Sequence, residues 1–393
     1  VSDRDWPDYV DDVTFRGKSV RAYATVVGVA GAVLAFAGAP ALATASDPVP
    51  SFNGTVLTVA YSGSTLYLGG DFTTALVKGK PFARSHLAAV NARTGTLLPW
   101  APAADGRVKA LAVSGSSIYV AGDFARVGGQ SRDSVARIDA IRGTVSPTFK
   151  HSISGRPSAV VAASGRLYLG GSFSAVDGQT RTRLAAFNLT TGALDTTWRP
   201  TADDQVTALA AGAGRIYAGG KFRRVNGKSG YERLVALDPA GATIVPGFKP
   251  RPAAVVFGIT ATSDSVYTAN GGQGGLLNSY TIAGVNRWTA TFDGDAQAVT
   301  TLNGRVYVGG HFDRACRTAR TGAKGICLDG SDDRIKLAAL DPRDGHLLEW
   351  TADANGVEGV LTLAGSPGLG AIAAGGAFTT IEGRPQKRLA QIR

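Results

Sequence analysis

From Val56 to the C-terminus the chain alternates short apolar runs with turns rich in glycine, aspartate and asparagine. Within the runs, neighbouring residues face opposite ways: in Arg215 to Phe222, Ile216 and Ala218 alternate with Tyr217. A period of two predicts strands rather than helices. One unit shows how they group. Val206 to Ala210 predicts a first strand, and Arg215 to Phe222 a second. A polar loop, Arg223 to Glu232, leads to a third strand, Leu234 to Leu237. A turn at Asp238 to Ala240 opens a fourth, ending at Phe248. Closely spaced strands and turns of this kind predict an antiparallel meander.

The unit recurs. A small-residue pair, one variable residue and a phenylalanine appear six times, ending at Phe72, Phe124, Phe173, Phe222, Phe312 and Phe378. The first four phenylalanines are 52, 49 and 49 residues apart. A fixed period of strands and turns at this length predicts a radial array of small sheets. The glycine pair is expected to let neighbouring backbone approach closely, and the phenylalanine to pack between blades.

The expected fold is therefore all-β, a seven-bladed β-propeller of four-stranded antiparallel blades. The count rests on the fourth-strand aromatic, at Phe52, Trp100, Phe149, Trp198, Phe248, Phe292 and Trp350. The turn glycine before it recurs only at Gly95, Gly143, Gly192, Gly241, Gly284 and Gly345. The unmatched aromatic, Phe52, precedes the first complete repeat, and Leu389 to Arg393 is a third strand. The N-terminal strand is thus expected to complete the last blade, which would leave no open sheet edge at the junction.

Composition changes the picture at the N-terminus. Residues 22–46 carry no charge, follow Arg16, Lys18 and Arg21, and end in the small-residue motifs Ala41-Leu42-Ala43 and Ala43-Thr44-Ala45. A basic flank, an apolar stretch and a cleavage site predict a secretory signal over 1–45, with 46–393 as a single propeller. The acidic start, Ser2 to Asp12, and the absence of methionine leave a mis-started leader open; the rival reading is an uncleaved membrane anchor. The expected address is extracellular, with membrane contact only through an uncleaved leader. The two cysteines, Cys316 and Cys327, lie in one loop and are expected to pair as a disulfide. With no histidine pair beside them they make no zinc site, and no metal is expected. The net charge of +11 favours acidic partners, although solubility alone would also account for it. No nucleic-acid motif occurs and no nucleic acid is expected; the protein is expected to be a monomer.

Where the repeats differ, function is expected. The loop between the second and third strands spans 11 residues from Phe124 to Val135, from Phe173 to Leu184 and from Phe378 to Leu389. In blade six it spans 25, from Phe312 to Leu337, and carries both cysteines. In blade five the phenylalanine motif is lost and the loop shrinks to a few residues after Asn270. A short loop beside a long stapled one predicts a notch with a wall. Asn270, Gln273 and Asn278 are expected to line the notch, and Arg314, Arg317, Arg320 and Asp329 to face it from the flap. Arginine forks suit carboxylate or phosphate, and amides suit sugar hydroxyls. The alternative is plain surface variation, because loops tolerate insertions. Arg84, Arg132, Arg181 and Arg334 recur three places before strand three, and Asp105, Asp203, Asp204, Asp293, Asp295 and Asp353 lie in the turns of the same face. Such rings could bind a charged ligand or a cation, but they are expected to pair with each other or to cap turns.

Taken together, the Gly-Gly-x-Phe strand, the Arg-x-x-Leu-Ala-x-x-Asn/Asp strand and the Thr-Gly turn resemble the delta-60 repeat β-propellers of secreted bacterial proteins, actinobacterial ones especially. The clearest copies run from Gly170 to Trp198 and from Gly309 to Trp350. The resemblance implies a propeller and an extracellular address, and no particular activity. A weaker likeness joins Ala89 to Trp100 and Ala339 to Trp350 to the tryptophan-docking repeats of quinoprotein dehydrogenases. Those enzymes have vicinal cysteines and usually eight blades, features this chain lacks, so no cofactor is expected. His-Glu-x-x-His, Gly-x-Ser-x-Gly and P-loop patterns are absent. His86, His151, His311 and His346 are scattered, and no catalytic residue is assigned. The leading expectation is a non-enzymatic binding or scaffold module for a cell-envelope glycan, an anionic polymer or a protein partner. The alternative is an extracellular carbohydrate-active or quinoprotein-like enzyme with its site at the channel mouth.

Overall fold

Glycine pairs and their neighbours set the geometry of five of the repeats. In the first, Val56–Ser62 pairs antiparallel with Thr65–Gly70, which pairs with Leu87–Asn91. The register shifts between Val56 and Thr58, so the strand bulges opposite Gly69 and Gly70. A Cβ on Gly70 would lie 2.2 Å from the Thr55 carbonyl oxygen, and one on Gly69 would lie 2.6 Å from Val108 Cγ1 of the next repeat. The last repeat repeats the contact with the first: a Cβ on Gly375 would lie 2.6 Å from Val56 Cγ1. Only glycine fits at these approaches.

The computed structural model describes residues 46–393. The leader expected at 1–45 lies outside the described residues. Those described are all-β apart from one short 3-10 turn, Ala323–Gly325, and none of their helices is long and apolar enough to cross a membrane.

The motif phenylalanines are buried, and two of them stack on the aromatic that precedes their repeat. Phe52 and Phe72 lie with ring centroids 4.6 Å apart, and Phe292 and Phe312 4.3 Å apart. Tryptophans add a directional contact. Trp100 Nε1 donates to the Asp139 carbonyl at 2.9 Å, and Trp198 Nε1 to that of Asp238 at 3.1 Å. In the fifth repeat Trp288 takes this role, donating to the Pro342 carbonyl at 3.0 Å. A buried indole N–H needs such a partner.

The fourth strand is shorter than the pattern predicts. It is two residues in the first repeat, Thr96–Leu97, and a single bridge in several others, such as Ile138 to Val145 and Leu237 to Ile244. Pro99, Pro147 and Pro246 follow closely in three repeats, but the single bridges Phe187 to Leu194 and Leu340 to Leu347 form without one. In the fifth repeat Asn286–Phe292 forms a full strand. The segment before the first repeat is divided: Ser46–Asp47 pairs with Leu389–Ile392, while Ser51–Phe52 pairs with Thr74–Val77.

Loops between the second and third strands fold back as hairpins. Thr74–Val77 with Lys80–Ala83, and Thr380–Ile381 with Arg384–Pro385, are examples. Each reaches the segment leaving the preceding repeat, through pairs such as Ala104 with Val127 and Ala354 with Ile381. These loops stitch neighbouring repeats together.

Candidate functional site

The insertion in the sixth repeat follows the same rule on a larger scale. Arg314–Cys316 pairs with the fourth strand of the fifth repeat, Asn286–Phe292, and Ser331–Asp333 pairs with Arg314–Cys316. A six-stranded sheet results, in which the two strands at one edge belong to the flap. Cys316 and Cys327 are disulfide-bonded across 11 residues. The flap then returns across the shortened loop instead of standing beside it. A Cβ on Gly325 would lie 2.7 Å from Gly274 Cα and 2.5 Å from the Asp293 carbonyl oxygen.

The sequence-derived site residues separate into two groups. Asn270 and Asn278 face inward. Both are buried, and Asn278 Nδ2 donates to Asn270 Oδ1 at 3.1 Å. Thr268 Oγ1 donates to the same oxygen at 2.8 Å, and Thr289 Oγ1 donates to Asn278 Oδ1 at 2.8 Å. The two amides thus hold a polar chain inside the sheet, where an unmade bond would be expensive. Gln273 stays exposed on the short loop. The flap arginines are exposed but answered by the flap's own aspartates: Arg314 with Asp333 at 3.5 Å, Arg317 with Asp332 at 2.9 Å and Arg320 with Asp329 at 2.8 Å. Asp329 also accepts from Thr318 Oγ1 at 2.6 Å. The Arg317 fork holds the Asp332 carboxyl below the usual carboxylate range.

Between flap and sheet lies a cleft of about 420 Å³. Thr289, Thr291, Arg317, Thr318, Asp332 and His346 supply its polar lining, with the disulfide at one wall. Thr291 Oγ1 is buried there with no hydrogen-bond partner among the described residues. At the flap tip Ile326 and Leu328 are exposed. Sequence reasoning found the flap but missed the sheet-side wall, because Thr289, Thr291 and His346 carry no distinctive local signal.

The recurring arginines and aspartates have backbone partners. Arg84 donates to the carbonyls of Ala83 and Leu98, each at 2.7 Å, and Arg334 repeats this with Asp333 at 2.6 Å and Leu348 at 2.9 Å. Arg181 does the same with Thr180 and Asp195. Asp105 Oδ1 accepts from the N–H groups of Ala125 and Arg126, Asp203 from those of Arg223 and Arg224, and Asp293 from those of Asp313 and Arg314. The rings cap turns.

A second concavity, about 200 Å³, runs along the first strands of the repeats. Lys109, Thr207, Phe257, Gln297 and Thr362 are among its lining residues. At its rim, burial raises the Asp295 carboxyl above its ordinary range. Asp295 Oδ1 accepts from Gly272 N at 3.0 Å, and its own N–H donates to His311 Nε2 at 3.2 Å. No group of His, Cys, Asp and Glu among the described residues is arranged to hold a metal ion.

A family described as a domain of unknown function (DUF5122) β-propeller matches residues 117–149 and 162–197. Among solved structures, the WD40 β-propeller domain of Doa1 superposes with a TM-score of 0.57 at 10% identity, over 89% of this chain and 96% of that one. The fold is a β-propeller. The computationally designed Ika8 protein is also similar, with a TM-score of 0.50 at 13% identity, covering 88% of this chain and 99% of that one. No curated protein matches the chain. Identities this low speak to the fold alone, since propellers carry unrelated functions.

Proposed function

We propose that this protein is a secreted, seven-bladed propeller of the delta-60 repeat type that acts as a non-enzymatic binding module, gripping a cell-envelope glycan in the cleft beneath its stapled flap. The seven-blade count is supported by the channel, to which the strands starting at Val56, Arg107, Ile153, Val206, Val256, Ala296 and Val360 all contribute. Closure is supported by the Gly375 contact with Val56 and by the pairing of Ser46–Asp47 with Leu389–Ile392. On this reading the N-terminal strand completes the last blade. Secretion is supported by the leader pattern and the disulfide, a bond favoured in oxidising compartments.

The observation that carries the functional reading is the flap itself. It departs from the repeat pattern, is held by the protein's single disulfide, and arches over a cleft lined by hydroxyls, an arginine–carboxylate pair and a histidine. A pre-organised polar cleft suits sugar hydroxyls better than an isolated charge. The test is binding of the purified protein to cell-wall and polysaccharide fractions, beside a variant with 314–333 replaced by a short hairpin. Saturable binding that vanishes with the flap supports the reading. Binding indifferent to the flap, or none, overturns it.

A second reading, an extracellular enzyme acting on carbohydrate, has one observation in its favour: the raised Asp295 carboxyl bonded through its backbone to His311 at the channel rim. Raised carboxyls are suited to general acid work. Depolymerisation of a polysaccharide that is lost in Asp295→Asn would replace the binding reading with this one.

A further inference from the structure

The fourth repeat carries a departure of a different kind. Its motif reads Lys221-Phe222-Arg223-Arg224, with a cation in the variable slot and in both places after the phenylalanine. The corresponding residues elsewhere are Asp71, Thr73 and Thr74; Asp123, Ala125 and Arg126; Ser172, Ser174 and Ala175; His311, Asp313 and Arg314; and Ala377, Thr379 and Thr380. The fold does not need all three charges: three other copies have none, and two have a single arginine, Arg126 or Arg314.

Further cations join the same rim. The hairpin after Phe222 lies between the segments leaving the third and fourth repeats: Asp203 N donates to the Arg224 carbonyl at 3.2 Å, and Asn226 N to that of Thr201 at 2.9 Å. On the other side Arg251 Nε reaches the Gly230 carbonyl at 3.5 Å, and Lys249 sits over the Tyr231 ring at 5.4 Å from its centroid. Lys221, Arg223, Arg224, Lys228, Lys249 and Arg251 are all exposed.

These charges are left largely unanswered. Arg251 meets Glu232 at 3.4 Å, whereas Lys221, Arg223, Arg224, Lys228 and Lys249 have no ion-pair partner among the described residues. Asp203 and Asp204 stand nearby as counter-charges, but neither forms an ion pair with these cations; Asp203 accepts from the backbone N–H groups of Arg223 and Arg224, and Asp204 from that of Gln205. The contrast with the flap is direct, since its arginines are paired within the flap. Uncompensated cations on one rim repel each other and are relieved by an anionic ligand.

We propose that the rim of the fourth repeat binds a polyanionic polymer, a chain bearing carboxylate or phosphate groups, at a contact separate from the flap cleft. The inference rests on reading the protein as a binding module and adds a second ligand class to it. Arginine forks at Arg223 and Arg224 match planar carboxylate and phosphate oxygens, and the lysines supply point charges around them. A lipid surface fits less well: of the large exposed apolar residues only Val285 borders the patch, next to Gly284, whose Cβ would lie 2.8 Å from Lys249 N, and one valine is too little to insert. Single-stranded nucleic acid fits less well too, because Tyr231, the aromatic of the patch, is buried and offers no open stacking face.

The test measures binding of the whole protein to polygalacturonate, inorganic polyphosphate, single-stranded DNA and anionic phospholipid vesicles over a range of salt, with neutral dextran as control. The first two probes separate carboxylate from phosphate recognition. The patch variant is Arg223→Ser, Arg224→Ser, Lys228→Ser. A charge-matched control, Lys80→Ser, Arg93→Ser, Lys150→Ser, removes three exposed cations from other repeats. The patch variant is expected to lose about tenfold or more in affinity for polygalacturonate or polyphosphate, with a salt dependence shallower by about two to three units of log–log slope. The control and the flap-deleted protein are expected to bind as the parent does. Equal losses in patch variant and control would reduce the effect to net charge and overturn the proposal. So would the absence of binding to both polymers, or a preference for DNA or vesicles over them. Flap deletion that abolishes glycan binding but spares polyanion binding separates this contact from the cleft.

Discussion

The proposed closure of the ring rests on a contact between the last repeat and the first, and that contact has a measurable energy. In Gly375→Ala the added methyl would lie 2.6 Å from Val56 Cγ1 and 2.7 Å from Thr362 Cγ2. Neither neighbour is the far end of a flexible side chain, so the strands must separate, at about 1–3 kcal/mol for overpacking. Thr362 belongs to the same sheet as Gly375, so part of that loss is local. Val56 belongs to the first repeat, and Val56→Ala removes the methyl that collides. Alone, Val56→Ala costs about 2 kcal/mol of buried apolar surface. In the double variant the two losses should fall short of their sum by about 1 kcal/mol, since each relieves the other. The assay is urea unfolding of parent, singles and double, with stability read from midpoint and slope. Gly69→Ala with Val108→Ala is the internal standard, because a Cβ on Gly69 meets Val108 Cγ1 at the same 2.6 Å. Coupling at 69 with 108 but additivity within about 0.5 kcal/mol at 375 with 56 would refute a closed ring.

Other consequences follow from single residues. Asn278→Ala removes the donor to Asn270 and the acceptor for Thr289, and should cost about 2–3 kcal/mol in the same unfolding assay. Asp295 is raised by burial, so the folded state holds its proton more tightly than the unfolded chain. Stability therefore falls as pH rises from the ordinary carboxylate range through the folded value; Asp295→Asn, which keeps an acceptor for Gly272 N, should flatten that part of the pH–stability curve. Reduction of Cys316–Cys327 releases a short loop constraint of about 3 kcal/mol in the chain-entropy model. It should speed proteolysis within the flap while leaving the strands of other repeats protected.

The repeat was legible because its parts are local. The glycine pair, the phenylalanine and the aromatic before the next repeat each mark a fixed backbone position, and Gly69, Phe72 and Trp100 occupy the places their pattern implies. Pairing between segments was less legible. The hairpin at Thr74–Val77 and the flap strand Arg314–Cys316 add to sheets built by the preceding repeat, and nothing in their own residues names that partner. Asn270 and Asn278 read as rim amides from composition, yet they face each other on adjacent strands and satisfy one another in the interior. Arg84 and Arg334 read as members of a charged ring, but their guanidinium groups bind carbonyls, which a sequence does not display. Left-handed backbone at His86, Arg183, Lys336 and Arg388, each just before a third strand, was hidden because no glycine marks it. The fourth-repeat cations went unremarked for the opposite reason: basic residues are common along this chain, and only the structure separates those with partners from those without.

If a ligand sits beneath the flap, amide hydrogen exchange locates it. Exchange would be followed with and without a saturating amount of whichever glycan fraction binds. A ligand in the cleft slows exchange in Asn286–Phe292, in Arg314–Cys316 and around His346, which wall it. Protection confined to the channel rim near Asp295 and His311, or spread evenly over the propeller, would contradict binding in the cleft.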